Sequence, residues 1–193
     1  MRKLEALQIL QSAGKKILNL PDIQKLLHTN RDNTAYKLVQ RLVDSHVLER
    51  VRKGYYVLPS NPPSPFELAN ALYRPSYVSL ESALAYYGIL IQAPHSITSV
   101  TPALTKTIRV NTRMFLYAHL DPKYFTDYHT VDDCLMATPE KALIDSLFFG
   151  ALGRISLSVE ELQLDSVDRK KVHRLAKAVS NRAFQKLFRS LSL

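Results

Sequence analysis

Apolar residues recur at intervals of three and four over most of the first 45 positions, with polar residues filling the gaps. Leu4, Leu7, Ile9 and Leu10 predict a first amphipathic helix, and Gly14 ends it. A second helix is predicted from about Pro21 to Leu27. Proline suits a first helical position, and Ile23, Leu26 and Leu27 face one way. His28-Thr29-Asn30 makes a short turn, and a third helix runs from about Arg31 to Ser45 on a stripe of Ala35, Leu38, Val39 and Leu42. The period then changes. Val47 to Val51 and Tyr55 to Leu58 predict two strands, and Arg52-Lys53-Gly54 predicts the turn between them, with Gly54 at positive φ.

Ser60-Asn61-Pro62-Pro63-Ser64-Pro65 interrupts this pattern, because closely spaced prolines block both helix and ladder pairing. Beyond it, helices are expected over Phe66 to Tyr73, over Leu80 to Tyr87 with Ser79 as cap and Gly88 as stop, and from Thr138-Pro139-Glu140 to Phe149. Ile97 to Thr101, Thr107 to Asn111 and Met114 to Leu120 are β-rich and predict a small antiparallel sheet. A last helix is expected over about Asp168 to Leu191, on a stripe of Val172, Leu175, Ala176, Val179, Ala183, Leu187 and Leu191. The expected fold is therefore α+β in two domains. Residues 1–60 form a winged helix-turn-helix, 61–65 a proline-rich linker, and 66–193 an α/β domain that ends in a basic helix.

Charge sharpens this picture. The net charge of +9 is unevenly spread. Residues 1–60 carry 11 lysines and arginines against 5 acids, residues 61–168 carry 7 against 12, and residues 169–193 carry 8 against none. Two basic ends flank an acidic middle, the footprint expected of a polyanion binder. No apolar run approaches the ~20 residues of a membrane span. The N-terminus lacks the long apolar core of a secretory signal. Cys134 is the single cysteine, which excludes an internal disulfide framework and fits a reducing cytoplasm.

The third helix buries one stripe and leaves Arg31, Asn33, Thr34, Tyr36, Lys37, Gln40 and Arg41 outward. A helix laid in the major groove needs such a face. Arg grips guanine edges, Asn and Gln grip adenine, and Lys and Arg hold phosphates. Asn33, Thr34 and Lys37 are expected nearest the bases, and Arg41 on phosphate. The hairpin residues Arg50, Arg52, Lys53 and Tyr55 have the composition of a wing that touches backbone or minor groove. Asp32 and Asp44 argue the other way if they face phosphate. In the last helix, Arg169, Lys170, Lys171, Arg174, Lys177, Arg182, Lys186 and Arg189 suit a solvated basic face, further contacts to nucleic acid or a partner, or an anionic membrane surface. Only Phe184 and Phe188 would serve as interfacial aromatics, which disfavours the membrane.

The segments YVSLESALAYYGIL (Tyr77 to Leu90), HSITSVT (His95 to Thr101) and MATPEKALIDSLFF (Met136 to Phe149), with VLERVRKGYYVL (Val47 to Leu58), resemble the AbiEi family of antitoxins from bacterial type IV toxin–antitoxin systems. The resemblance covers roughly residues 1–150, and ATPEKALID is its most specific part. It implies a repressor that binds inverted repeats in its own promoter through the winged domain. The second domain would then support cooperativity and counter a nucleotidyltransferase-like toxin, without a tight complex. The bound form would be a monomer or a cooperative dimer on DNA.

From the residues alone, Ser79, Ala83, Leu84, Tyr87, Gly88, Thr138, Glu140, Ala142, Leu143 and Leu147 have structural explanations as caps, stops and buried helix faces. Asp132, Asp133, Glu140 and Asp145 suggest a carboxylate metal site, but Glu140 and Asp145 are five apart and share no clean helix face. No histidine pair stands at i, i+4, Cys134 has no motif around it, and the 5 glycines form no phosphate loop. The expectation is a DNA-binding protein, not an enzyme, with no cofactor. The alternatives are a stand-alone transcription factor whose second domain senses a small molecule or protein, a winged helix used for protein docking, and a metal-dependent nuclease.

Overall fold

The structure is a computed structural model that describes residues 3–29 and 32–191. The chain divides into two compact units, Met1–Ser64 and Pro65–Leu193. The fold is mixed α+β, with a small antiparallel sheet in the first unit and a larger mixed sheet in the second.

In the first unit, α1 (Lys3–Ser12), β1 (Ile17–Asn19), α2 (Leu20–Leu26), α3 (Asp32–Asp44), β2 (Glu49–Arg52) and β3 (Tyr55–Val57) follow in order. The strands pair antiparallel in the order β1-β3-β2. β1 is the element that periodicity misses. Three residues are too few to show a period, and the strand exists because β3 offers a free edge. Its end doubles as a helix start. Asn19 Oδ1 accepts from the Asp22 amide at 2.8 Å, and Asp22 returns a bond to the Asn19 amide at 3.2 Å. This reciprocal box satisfies two orphan donors and starts α2 at Leu20, one residue before the expected Pro21. One core holds the unit together, with Leu10, Leu18, Ile23, Leu38, Leu42 and Leu48 buried in it. Leu4, expected on the buried face of α1, is 72% exposed, and Ala6 takes the inward position instead.

The second unit holds α4 (Pro65–Leu72), β4 (Tyr77–Val78), α5 (Leu80–Tyr86), β5 (Ile97–Thr101), β6 (Lys106–Val110), β7 (Arg113–His119), β8 (Tyr128–Val131), β9 (Cys134–Ala137), α6 (Pro139–Ala151), α7 (Arg169–Ala178) and α8 (Arg182–Arg189). Its sheet has six strands in the order β6-β7-β5-β4-β9-β8. The expected small antiparallel sheet is thus corrected. β5 runs parallel to β7, and β4 runs parallel to β9. Every residue of the central strand β5 is buried, and its two threonine hydroxyls are satisfied locally. Thr98 donates to the Ser79 carbonyl at 2.7 Å, and Thr101 to the Pro75 carbonyl at 2.7 Å. α5 packs on β5 and α6, and α6 in turn carries α7 and α8.

α6 is buried without interruption from Glu140 to Leu147, so it is a central helix rather than one with a single apolar stripe. Thr138 caps it as expected, accepting from the Lys141 amide. The expected C-terminal helix is two helices. Val179 has extended backbone, and Asn181 caps α8 by accepting from the Phe184 amide at 3.0 Å. The break changes the phase of the apolar stripe. Ala183 is exposed, and Phe184 is buried in its place, stacked on Phe188. Asn181 explains this change, because a side-chain cap competes with continued helix. Among the described residues, no helix is long and apolar enough to cross a membrane.

Candidate nucleic-acid interface

α3 is 13 residues long, about 20 Å at 1.5 Å per residue. Ala35, Leu38, Val39 and Leu42 turn into the core, as their spacing predicts. The helix therefore presents Asn33, Thr34, Tyr36, Lys37, Gln40 and Arg41, all exposed. Asn33, Tyr36, Lys37 and Gln40 stand three and four residues apart and line one face. Thr34, Lys37 and Arg41 form the adjoining row. Tyr36 is 58% exposed, an unusual position for a large ring on a polar face. Arg31 and Asn30 lie outside the described residues, as does the side chain of Asp32.

Two contacts refine this surface. Gln40 Nε2 donates to Asp44 Oδ1 at 2.8 Å, which turns the amide along the helix toward Asp44. The same bond occupies Asp44, which stands about 16 Å along the axis from Asn33, away from the end expected to read bases. Arg41 Nε leans back on the Lys37 carbonyl at 3.4 Å.

The β2–β3 hairpin turns through Lys53-Gly54, with Gly54 at φ +82°. A glycine tolerates that region without a Cβ penalty. The ladder is irregular. Arg50 pairs with Tyr56 and Arg52 with Tyr55, so Val51 is an extra residue. A bulge of this kind bends and twists the strand locally. Arg50, Arg52 and Lys53 are exposed, and Tyr55 is half-buried at the start of β3.

The cations at the end of the chain are not equivalent. Arg169, Lys170, Lys177, Arg182, Lys186 and Arg189 are exposed. Arg174 is exposed as well, with a guanidinium nitrogen 3.1 Å from Asp127 Oδ1. Lys171 is half-buried and turned toward a buried acid instead. Its ammonium stands 2.8 Å from Glu140 Oε2, on a carboxylate only 8% exposed, and ties α7 to the start of α6. Burial pushes the Glu140 carboxyl up, but the hydrogen bond and charge of Lys171 outweigh it and hold the group below its ordinary 4.5. A depressed carboxyl stabilises the fold above its unfolded value and loses that contribution as pH falls. Glu140→Gln is therefore expected to cost about 1–2 kcal/mol at pH 7. The difference from wild type should disappear in acid, below the ordinary carboxyl range. Urea midpoints at the two pH values check this, and an equal deficit at both would remove the ion pair as the cause.

No protein-family model matches the chain, and no curated protein matches it.

The structure also assembles a buried polar cluster that sequence spacing does not reveal. Asp145 of α6 is ion-paired with Lys141 one turn earlier, at side-chain exposures of 2% and 4%. Asp145 Oδ2 also accepts from Tyr77 Oη at 3.0 Å and from Ser79 Oγ at 2.8 Å. Burial pushes the Tyr77 phenol up, and the Asp145 charge pushes it further. Ser79, expected as a side-chain cap, makes no such bond to α5 and gives its hydroxyl to Asp145. Leu80 follows it at φ +57°, a region that costs a bulky residue roughly 1–3 kcal/mol. The signal available beforehand was Lys141 and Asp145 at i, i+4. Spacing shows that such a pair meets but not that the helix is buried all round. Asp132 is apart from this cluster and accepts from Tyr86 Oη at 3.1 Å. The acids of the nuclease alternative thus have separate partners, Glu140 with Lys171 and Asp145 with Lys141. Cys134 is buried, and burial, then the nearby acids beginning with Glu67, push its thiol up to about 11.

Proposed function

We propose that this chain is a winged helix-turn-helix repressor, with α3 as the recognition helix and the β2–β3 hairpin as its wing. The observation that carries the proposal is the exposed face of Asn33, Thr34, Tyr36, Lys37, Gln40 and Arg41 on α3. It lies in a unit that also exposes Arg50, Arg52 and Lys53 on one hairpin. Polar side chains on a helix supply direct readout, and cations on a hairpin supply phosphate neutralisation. The resemblance of residues 1–150 to AbiEi antitoxins extends the reading. The partner is double-stranded DNA of the chain's own promoter, bound at inverted repeats by a monomer or a cooperative dimer. The second unit counters a nucleotidyltransferase-like toxin without a tight complex.

A gel shift against the DNA upstream of the gene, with competitor DNA and a salt series, tests the binding half. Saturable, salt-sensitive shifting that survives competitor is expected. No shift at low salt would turn the first unit into a protein-docking module. Arg52→Ala with Lys53→Ala should lower affinity and flatten the slope of log K against log salt by ~1–2 units, since each lost phosphate contact removes about 0.9. An unchanged slope would remove the hairpin from the phosphate contacts. The antitoxin half predicts a toxin reading frame beside the gene and relief of its toxicity on co-expression. Failure of both would leave a stand-alone transcription factor.

A further inference from the structure

Lys141 is nearly fully buried, yet its ammonium has more donors than partners. Of its three N–H groups, Asp145 takes one, and its other side-chain contact is the face of the Tyr77 ring, 5.9 Å away. A buried donor without an acceptor is costly, so the site invites an acceptor from outside the chain. Space for one lies beside it. A cavity of about 50 Å³ is lined by Lys141 and Asp145 together with Lys123, Phe148, Leu175 and Val179. By the same measure a water needs roughly 10–15 Å³, so the cavity admits a ligand of three to five heavy atoms.

The lining is two-faced. Lys141, Asp145, Lys123, Thr126 and Tyr124 bring polar groups to it, while Phe148, Leu175 and Val179 offer only hydrocarbon. Lys141 is paired with Asp145 and Lys123 with Asp121 at 3.1 Å, but the second pair is exposed and worth little, so an incoming monoanion takes Lys123 in exchange for Asp121. The Asp145 carboxylate is already held by Lys141, Tyr77 and Ser79, which limits its repulsion of a second carboxylate.

We propose that this cavity is a binding site for a short-chain carboxylate. Its headgroup takes the Lys141 donors that Asp145 leaves over, and its alkyl tail lies on Phe148, Leu175 and Val179. Two of those walls, Leu175 and Val179, come from α7 and the residue that ends it, and a third, Phe148, comes from α6. Occupancy therefore braces α7 against α6. The proposal does not depend on DNA binding.

Sodium propionate is the probe, titrated into the full chain against sodium chloride at equal ionic strength. A saturable rise in melting temperature is expected, about 3–5 °C at ten times the dissociation constant. Leu175→Trp fills the cavity from α7 while keeping both members of the Lys141–Asp145 pair in the chain, and it should abolish the rise while leaving the ligand-free melt within a few degrees. Amide NMR shifts on the wild-type chain provide a second readout that needs no variant, with saturable changes expected at Ile144, Phe148 and Leu175. An equal rise in chloride, an undiminished rise in Leu175→Trp, or shifts centred away from α6 and α7 would overturn the proposal.

Discussion

Replacing Lys37 and Arg41 of α3 together with alanine is expected to weaken binding to the promoter DNA by about 100-fold or more. Both side chains are exposed on the outward face of a helix whose opposite face is core. Neither substitution removes a buried contact, so folding should be kept. Each residue of this kind contributes roughly 1–3 kcal/mol to a protein–DNA interface, and the two act in the same direction. They are separable in mode. If Lys37 reaches a base and Arg41 a phosphate, Lys37→Ala alone should relax sequence preference. Arg41→Ala alone should weaken all sequences alike and reduce the salt slope by about one unit. Fluorescence anisotropy on operator and scrambled duplexes at several salt concentrations measures all three quantities. Undiminished affinity in the double variant, with the fold intact, would sink the assignment of α3 as the reading helix.

The largest stability effect is expected at Asp145. Asp145→Ala leaves the Lys141 ammonium buried without its counter-charge and strips the acceptor from the hydroxyls of Tyr77 and Ser79. Breaking a buried pair from one side typically costs about 3–5 kcal/mol. That is a large share of the 5–15 kcal/mol that usually holds a domain together. The effect is not a simple measure of what the pair contributes. Exchanging both partners for apolar groups, Lys141→Met with Asp145→Leu, removes the stranded charge and should recover part of the loss. The two hydroxyls would still lack their acceptor, so recovery should be incomplete. Urea denaturation of the single and double variants decides the matter. A loss in Asp145→Ala no larger than that of an average surface substitution would mean the ion pair is not buried as the structure shows.

The elements best read from sequence are those whose burial is one-sided. Ala35, Leu38, Val39 and Leu42 declare their face because everything between them is polar, and all four are buried. Helix caps are local as well, and the Thr138-Pro139 start of α6 follows from residues within one turn. The hairpin at Lys53-Gly54 is local for the same reason, since a positive φ narrows the choice of residue. These features determine six outward residues of α3, the cationic hairpin and the break near Pro65. They also supply most of the chemistry on which the proposed DNA contact rests.

Tertiary structure decided the rest, for one physical reason. Partners far apart in the chain leave no period in it. β1 exists because β3 has a free edge, and the parallel pairings of β4 with β9 and β5 with β7 join segments that alternation alone cannot assign. α6 is surrounded, so its charged residues became interior groups. Lys141 paired with Asp145, Asp145 drew Ser79 away from capping α5, and Glu140 neutralised Lys171, one of the cations at the C-terminal end. Asn181 split the last helix, because its side-chain cap competed with a stripe that read as continuous. Sequence by itself determined which surface is basic and which helix faces outward. Only the fold decided which charges are buried, because desolvation depends on every neighbour at once.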